Sequence, residues 1–176
     1  MKILIVVDLQ NDFTTGALGN NECALAALRS AEYIRSFREE GGLIYATLDT
    51  HYENYLETRE GHDLPVPHCL KGTAGHELTP EVKAALGSDY RAVEKVTFGS
   101  KALPLYIQGD VGENTIDEFV IIGVCTDICV ISNAMVLRAF FPEVPIRIIS
   151  SCCAGVTPQS HETALAAMRA CQMIVE

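Results

Sequence analysis

The sequence predicts an α/β protein: a three-layer α/β/α sandwich around a mostly parallel sheet of five or six strands. Three observations predict it. Aliphatic runs of strand length recur along the chain, as in Lys2–Val7 and Phe119–Val124. They are near-continuously apolar rather than alternating, which is the pattern of strands buried on both faces. Between them lie segments of helical periodicity, and alternating strands and helices imply right-handed crossovers and a parallel sheet. A length of 176 residues suits one domain spanning 1–176 with a sizeable core.

The first strand is Lys2–Val7, ending at Asp8. A loop follows through Gln10, Asn11, Asp12 and Phe13 and the stretch from Gly16 to Asn21. Leu25, Leu28, Ala31, Ile34 and Phe37 recur at helical spacing, so Glu22–Glu40 is a helix stopped by Gly41 and Gly42. Leu43–Leu48 is the second strand, ending at Asp49. Residues 50–75 are polar, contain His51, His62 and His68, and lack clear periodicity, which inside a compact domain marks a functional loop. A short helix covers Glu81–Leu86, a third strand Tyr90–Lys95 and another short helix Ala102–Gln108. Phe119–Val124 is the fourth strand and Thr126–Phe140 its helix, with Thr126 as the cap. Pro145–Ser150 is the fifth strand. Thr157 and Pro158 start a last helix as cap and first residue, and Gln172–Val175 is a short sixth strand.

Composition narrows the function classes. A net charge of −10 argues against nucleic acid and anionic membrane surfaces as partners. No apolar run reaches transmembrane length. The N-terminus reads as a strand rather than a signal peptide. Seven cysteines scattered through apolar segments suit the reducing cytoplasm better than a disulfide scaffold.

The chemistry gathers at predicted strand ends. In open parallel sheets ligands bind beyond the carboxyl ends of the strands. Asp8, Asp49, Lys95 and the turn Cys125–Cys129 all fall there. Gly123 permits a tight bend, and Cys129 then opens a helix. Unpaired N–H groups and the macrodipole favour a thiolate at such an end. Strand, sharp turn and helix-opening nucleophile also make the elbow of many hydrolases. A buried structural cysteine is the competing reading at this position.

These residues resemble the cysteine hydrolase superfamily of nicotinamidases, N-carbamoylsarcosine amidases and isochorismatase-like proteins. Val7-Asp8-Leu9-Gln10-Asn11-Asp12-Phe13 resembles its aspartate motif, Lys95 its lysine, and Gly123-Val124-Cys125-Thr126-Asp127-Ile128-Cys129-Val130 its nucleophile motif. Asp49-Thr50-His51 with Pro67-His68-Cys69 resembles the metal motif of the nicotinamidase branch. The resemblance implies a catalytic triad of Cys129, Asp8 and Lys95, with Cys129 forming a thioester and Asp8 acting as general base. It implies an oxyanion hole from the N–H groups of Cys125 and Cys129, oriented by a cis peptide before Cys125. It implies a divalent metal, zinc with manganese or iron as alternatives, on Asp49, His51 and His68, with Glu60 as a further ligand. His62 and His76 read as exposed loop residues.

Phe13 and Phe98 are the expected walls of a flat pocket. Two departures stand out: the chain has no tryptophan where nicotinamidases commonly place one, before Pro67-His68-Cys69, and Val96-Thr97-Phe98-Gly99-Ser100 differs from the usual stretch. The implied reaction is hydrolysis of a small amide, with nicotinamide to nicotinate plus ammonia first. The alternatives are a metal-free isochorismatase-like or N-carbamoyl amide hydrolase and a non-catalytic small-molecule or thiol sensor. Members of the superfamily are often homo-oligomers.

Overall fold

The structure is a computed structural model and describes residues 1–112 and 115–176. In chain order the elements are β1 (Lys2–Val7), α1 (Asn11–Thr14), α2 (Asn21–Glu40), β2 (Leu43–Asp49), α3 (Arg59–Asp63) and α4 (Pro80–Leu86). Then come β3 (Arg91–Lys95), α5 (Leu103–Val111), β4 (Glu118–Val124), α6 (Ile131–Phe140), β5 (Ile146–Ala154), α7 (Pro158–Ala170) and β6 (Ile174–Val175). All six strands lie in one sheet of order β3-β2-β1-β4-β5-β6, and every neighbouring pair is parallel.

The continuous apolar strands are explained by burial on both sides. In β1, Leu4 and Val6 pack with Ala27 and Ile34 of α2 and Val82 and Leu86 of α4. Ile3, Ile5 and Val7 pack on the other face with Leu103 and Ile107 of α5, Leu137 of α6 and Met168 of α7. Each such side chain, fully buried, contributes about 1.5–3 kcal/mol. The chain leaves β1 toward β2 and β3 on one side, then returns past β1 to β4. The switch point therefore lies between β1 and β4, and a ligand crevice opens beyond their carboxyl ends.

Several boundaries differ from those the sequence predicts. The fifth strand extends to Ala154, because Cys152, Cys153 and Ala154 turn back into the sheet after the polar Ser150 and Ser151. Helix α5 runs past Gln108 to Val111, and Gly112 at φ 58° ends it. The polar loop after β2 holds α3, a helix of 5 residues too short to leave a periodic signal.

The largest difference is at the nucleophile. Thr126 is not a helix cap. Cys125 takes that position after a cis Val124–Cys125 peptide, and Thr126–Val130 forms a π turn before α6 begins. In that turn the Val130 N–H reaches back to the Cys125 carbonyl at 3.1 Å. The Thr126 hydroxyl instead meets His161 Nδ1 at 2.8 Å. Gly123 sits in β4 at φ 123°, where a Cβ would lie 2.1 Å from the Val7 carbonyl oxygen. Only glycine lets the nucleophile's strand lie this close to β1.

Candidate active site and metal centre

Asp8, Lys95 and Cys129 converge from three elements at the carboxyl edge of the sheet. Lys95 Nζ lies 2.6 Å from Asp8 Oδ2 and 3.6 Å from Cys129 Sγ. All three side chains are buried. Asp8 adopts a left-handed backbone at φ 48°, which for a residue other than glycine is a strained state typical of functional positions. The Thr47 hydroxyl donates to Asp8 Oδ1 at 2.7 Å.

Burial decides the charge states. Desolvation pushes the Cys129 thiol well above its ordinary value and the Asp8 charge adds to this, although Lys95 opposes it. The helix-opening position alone predicts the opposite shift. It loses because a fully buried thiolate beside a carboxylate costs more than the end of a helix returns. Asp8 is likewise raised by burial against the lowering pull of Lys95. Lys95 stays charged: burial would lower it, but Asp8, Cys129 and Asp49 raise it. Burial thus favours the neutral form of the thiol, beside the Lys95 ammonium that pairs with Asp8 at 2.6 Å.

A second cluster adjoins this one. Asp49, His51, Glu60 and His68 each offer one donor atom, all within 4.8 Å of one another. Asp49 Oδ2 is 2.9 Å from His51 Nε2 and 3.4 Å from His68 Nε2. Glu60 Oε1 is 3.6 Å from His51 Nε2 and 3.5 Å from His68 Nε2. Donors bound about 2.1 Å from a tetrahedral zinc stand about 3.4 Å apart, so this donor set fits a divalent ion. His68 Nδ1 is 2.8 Å from the Val66 carbonyl, which only accepts, so Nδ1 carries the proton and Nε2 is free to ligate. Burial and the Asp49 charge push the Glu60 carboxyl up, against the pull of His51, His68 and Lys95. Asp49 joins the clusters, its Oδ1 lying 3.3 Å from Lys95 Nζ.

Local structure sets each donor in place. Asp49 ends β2. The His51 N–H donates to the Cys69 carbonyl and the Lys71 N–H to the His51 carbonyl, a parallel bridge that returns His68 to His51. Asp12 Oδ2 accepts the Cys69 N–H at 2.8 Å, and Cys69 is itself left-handed at φ 46°. The Thr58 side chain caps α3, which carries Glu60 in.

A cavity of about 230 Å³ lies over both clusters. Cys125, Cys129, Asp49, His68, Glu60 and Asn20 form its polar part, and Phe13, Leu18, Leu64, Phe98, Ile128 and Val156 its apolar walls. This is at the small end for ligand sites and suits one small ring. The expected wall residues Phe13 and Phe98 both line it. Phe13 packs edge-on against His68, centroids 5.5 Å apart.

Residues 2–176 match the family model of the Isochorismatase domain. The chain belongs to the isochorismatase family. It is 27% identical over 183 aligned residues to the nicotinamidase/pyrazinamidase of Mycobacterium tuberculosis, which covers 96% of this chain and 95% of that protein. Among solved structures it resembles a pyrazinamidase of Pyrococcus horikoshii in complex with zinc, at 28% identity and TM-score 0.85, covering 99% and 98% of the two chains. A nicotinamidase/pyrazinamidase of Bacillus subtilis gives 25% identity, TM-score 0.85 and the same coverage.

On this isochorismatase scaffold some site residues escape sequence reasoning. Thr47 lies mid-strand in an apolar run and looks like a core residue. Gln10 is buried and clamps Asp49: its Oε1 accepts the Asp49 N–H at 2.8 Å, and its Nε2 donates to the carbonyls of Asp49 and His76 at 2.9 and 2.8 Å. Asn133 donates to the Cys129 carbonyl at 2.8 Å and accepts the Ser100 N–H at 2.9 Å. A polar residue inside an apolar run was the one available signal for Thr47 and Asn133. His62 is exposed as expected. His76 is not: it is buried, its Nε2 2.8 Å from the Thr50 hydroxyl, because Gln10 draws its backbone toward the site.

Proposed function

We propose that this isochorismatase-family protein is a cysteine amidohydrolase that converts nicotinamide to nicotinate and ammonia. One observation carries the reading: a buried ammonium, that of Lys95, stands 2.6 Å from the Asp8 carboxylate and 3.6 Å from the Cys129 thiol, which lines a ring-sized cavity. The substrate class is supported by relatives named nicotinamidase and pyrazinamidase.

Cys129 Sγ attacks the carboxamide carbon as its proton passes to Asp8, whose raised carboxyl makes it a better base than a free aspartate. Lys95 offsets the negative charge that moves between Sγ and Asp8. The N–H groups of Cys125 and Cys129 receive the developing oxyanion, a role worth about 10²–10³ in turnover per donor. Asp8 returns the proton to nitrogen, the C–N bond breaks, and ammonia leaves a thioester on Cys129. Water then attacks the thioester, gives a proton to Asp8, and releases the acid and the thiol. A divalent ion on Asp49, His51, Glu60 and His68, zinc in our reading, would supply an anchor for the ring nitrogen. Phe13 and Phe98 hold the ring between them and exclude water. Seven free thiols suit a reducing cytoplasm, where such an enzyme serves nicotinamide salvage.

The test is ammonia release from nicotinamide, pyrazinamide, N-carbamoyl amides and aliphatic amides. We expect the pyridine and pyrazine amides to lead, and Cys129→Ala to abolish turnover while its circular dichroism matches the parent. Substantial activity in Cys129→Ala refutes the nucleophile.

A further inference from the structure

Beside the substrate cavity lies a second, larger one of about 640 Å³. The two share the wall formed by Glu60, Leu64, Phe98 and Ile128. Glu60 belongs to the donor cluster, and Ile128 to the nucleophile's turn. The Phe98 carbonyl accepts from Asn133, which also holds the Cys129 carbonyl. Leu64 belongs to neither the donor cluster nor the nucleophile's turn, and its hydrogen bonds are made by its backbone.

The backbone of Leu64 is fixed independently of that side chain. Its N–H donates to the Glu60 carbonyl at 2.8 Å. Its carbonyl accepts from the Tyr55 hydroxyl at 2.8 Å and from the Val66 N–H at 2.8 Å. Shortening the side chain therefore leaves Glu60 and the turn toward His68 in place. Leu64 is also 38% exposed, so its truncation costs little stability.

We propose that Leu64 is the specificity-determining residue of the site. Its side chain partitions the two cavities and limits the acyl group to one ring. The chamber behind it takes a fused aromatic ring once the partition is shortened. This rests on the amidase reading above for its substrates, and its test is arranged to separate the two.

The probes are nicotinamide and quinoline-3-carboxamide, which keeps the same relation of ring nitrogen to carboxamide and adds one fused ring. The parent protein should prefer nicotinamide by at least about tenfold, the lower end of what an apolar pocket wall gives against added bulk. Leu64→Ala should raise the ratio of kcat/KM for the bicyclic over the single-ring amide at least about tenfold. Leu18→Ala removes the same atoms from a wall that the larger cavity does not share, and should leave the ratio within about threefold. Calorimetric Kd values for nicotinate and quinoline-3-carboxylate on zinc-supplemented protein should move in the same way. No preference in the parent, an unmoved ratio in Leu64→Ala, or an equal rise in Leu18→Ala overturns the proposal. If no variant hydrolyses either amide, the amidase reading fails, and the acid-binding ratio alone decides the partition.

Discussion

Thr47→Val removes a hydroxyl that donates to Asp8 Oδ1 at 2.7 Å and leaves a side chain of the same shape. Both residues are fully buried, so no water replaces the bond. A hydrogen bond to a charged group is worth about 1.5–3 kcal/mol. It is made to the ionised form of Asp8, so its loss raises the Asp8 carboxyl further, by about 1–2 units at 1.36 kcal/mol each. Asp8 must be ionised to accept the thiol proton. Burial raises the Asp8 carboxyl against the pull of Lys95, so the acid limb of kcat/KM should lie above the ordinary aspartate range and move up by that amount in the variant.

Stability gives the second readout. The bond lowers the folded-state carboxyl, so its stabilisation is present at neutral pH and fades as pH falls through the Asp8 value. The variant should lose about 1.5–3 kcal/mol in urea at neutral pH and less in acid. The assays are a pH profile of ammonia release and urea titrations at two pH values. An unmoved acid limb, or a stability gap that is the same at both pH values, would refute the assignment of Asp8 as the base.

Three further outcomes follow from the same geometry. Asp8→Asn and Lys95→Ala should each cost orders of magnitude in kcat, and the double variant scarcely more, since the two form one ion pair at 2.6 Å; additive losses in the cycle would separate them. His51→Ala should lose the divalent ion by elemental analysis, and raise KM for a pyridine carboxamide much more than for an aliphatic amide; equal effects on the two would remove the ring-anchoring role. Gly123→Ala forces a Cβ to 2.1 Å from the Val7 oxygen at a positive φ, so equilibrium unfolding should show a loss of at least about 3 kcal/mol or no folded protein.

The sequence by itself determined the layers and the edge on which chemistry sits. The central strands β1 and β4 are near-continuous aliphatic runs and the long helix α2 a periodic one, and both signals are local. Because parallel strands share one direction, Asp8, Asp49, Lys95 and the Cys125–Cys129 turn had to meet at one end of the sheet. The two ends of the metal loop, Asp49-x-His51 and His68, carry motifs that can be read in the same way.

What depends on distance and desolvation was decided by the tertiary structure. Nothing in the local pattern around Cys129 distinguishes a capped α-helix from the π turn that the close approach of Gly123 to Val7 accompanies. Glu60 joins the donor cluster only because Thr58 caps a single helical turn. His76 is buried because Gln10, 66 residues earlier, hydrogen-bonds its carbonyl. The thiol is pushed up rather than down because burial disfavours its charge, and Asp8, brought in by another strand, adds to this against the pull of Lys95. Charge states are sums over neighbours in space, and a chain read in order does not contain that sum.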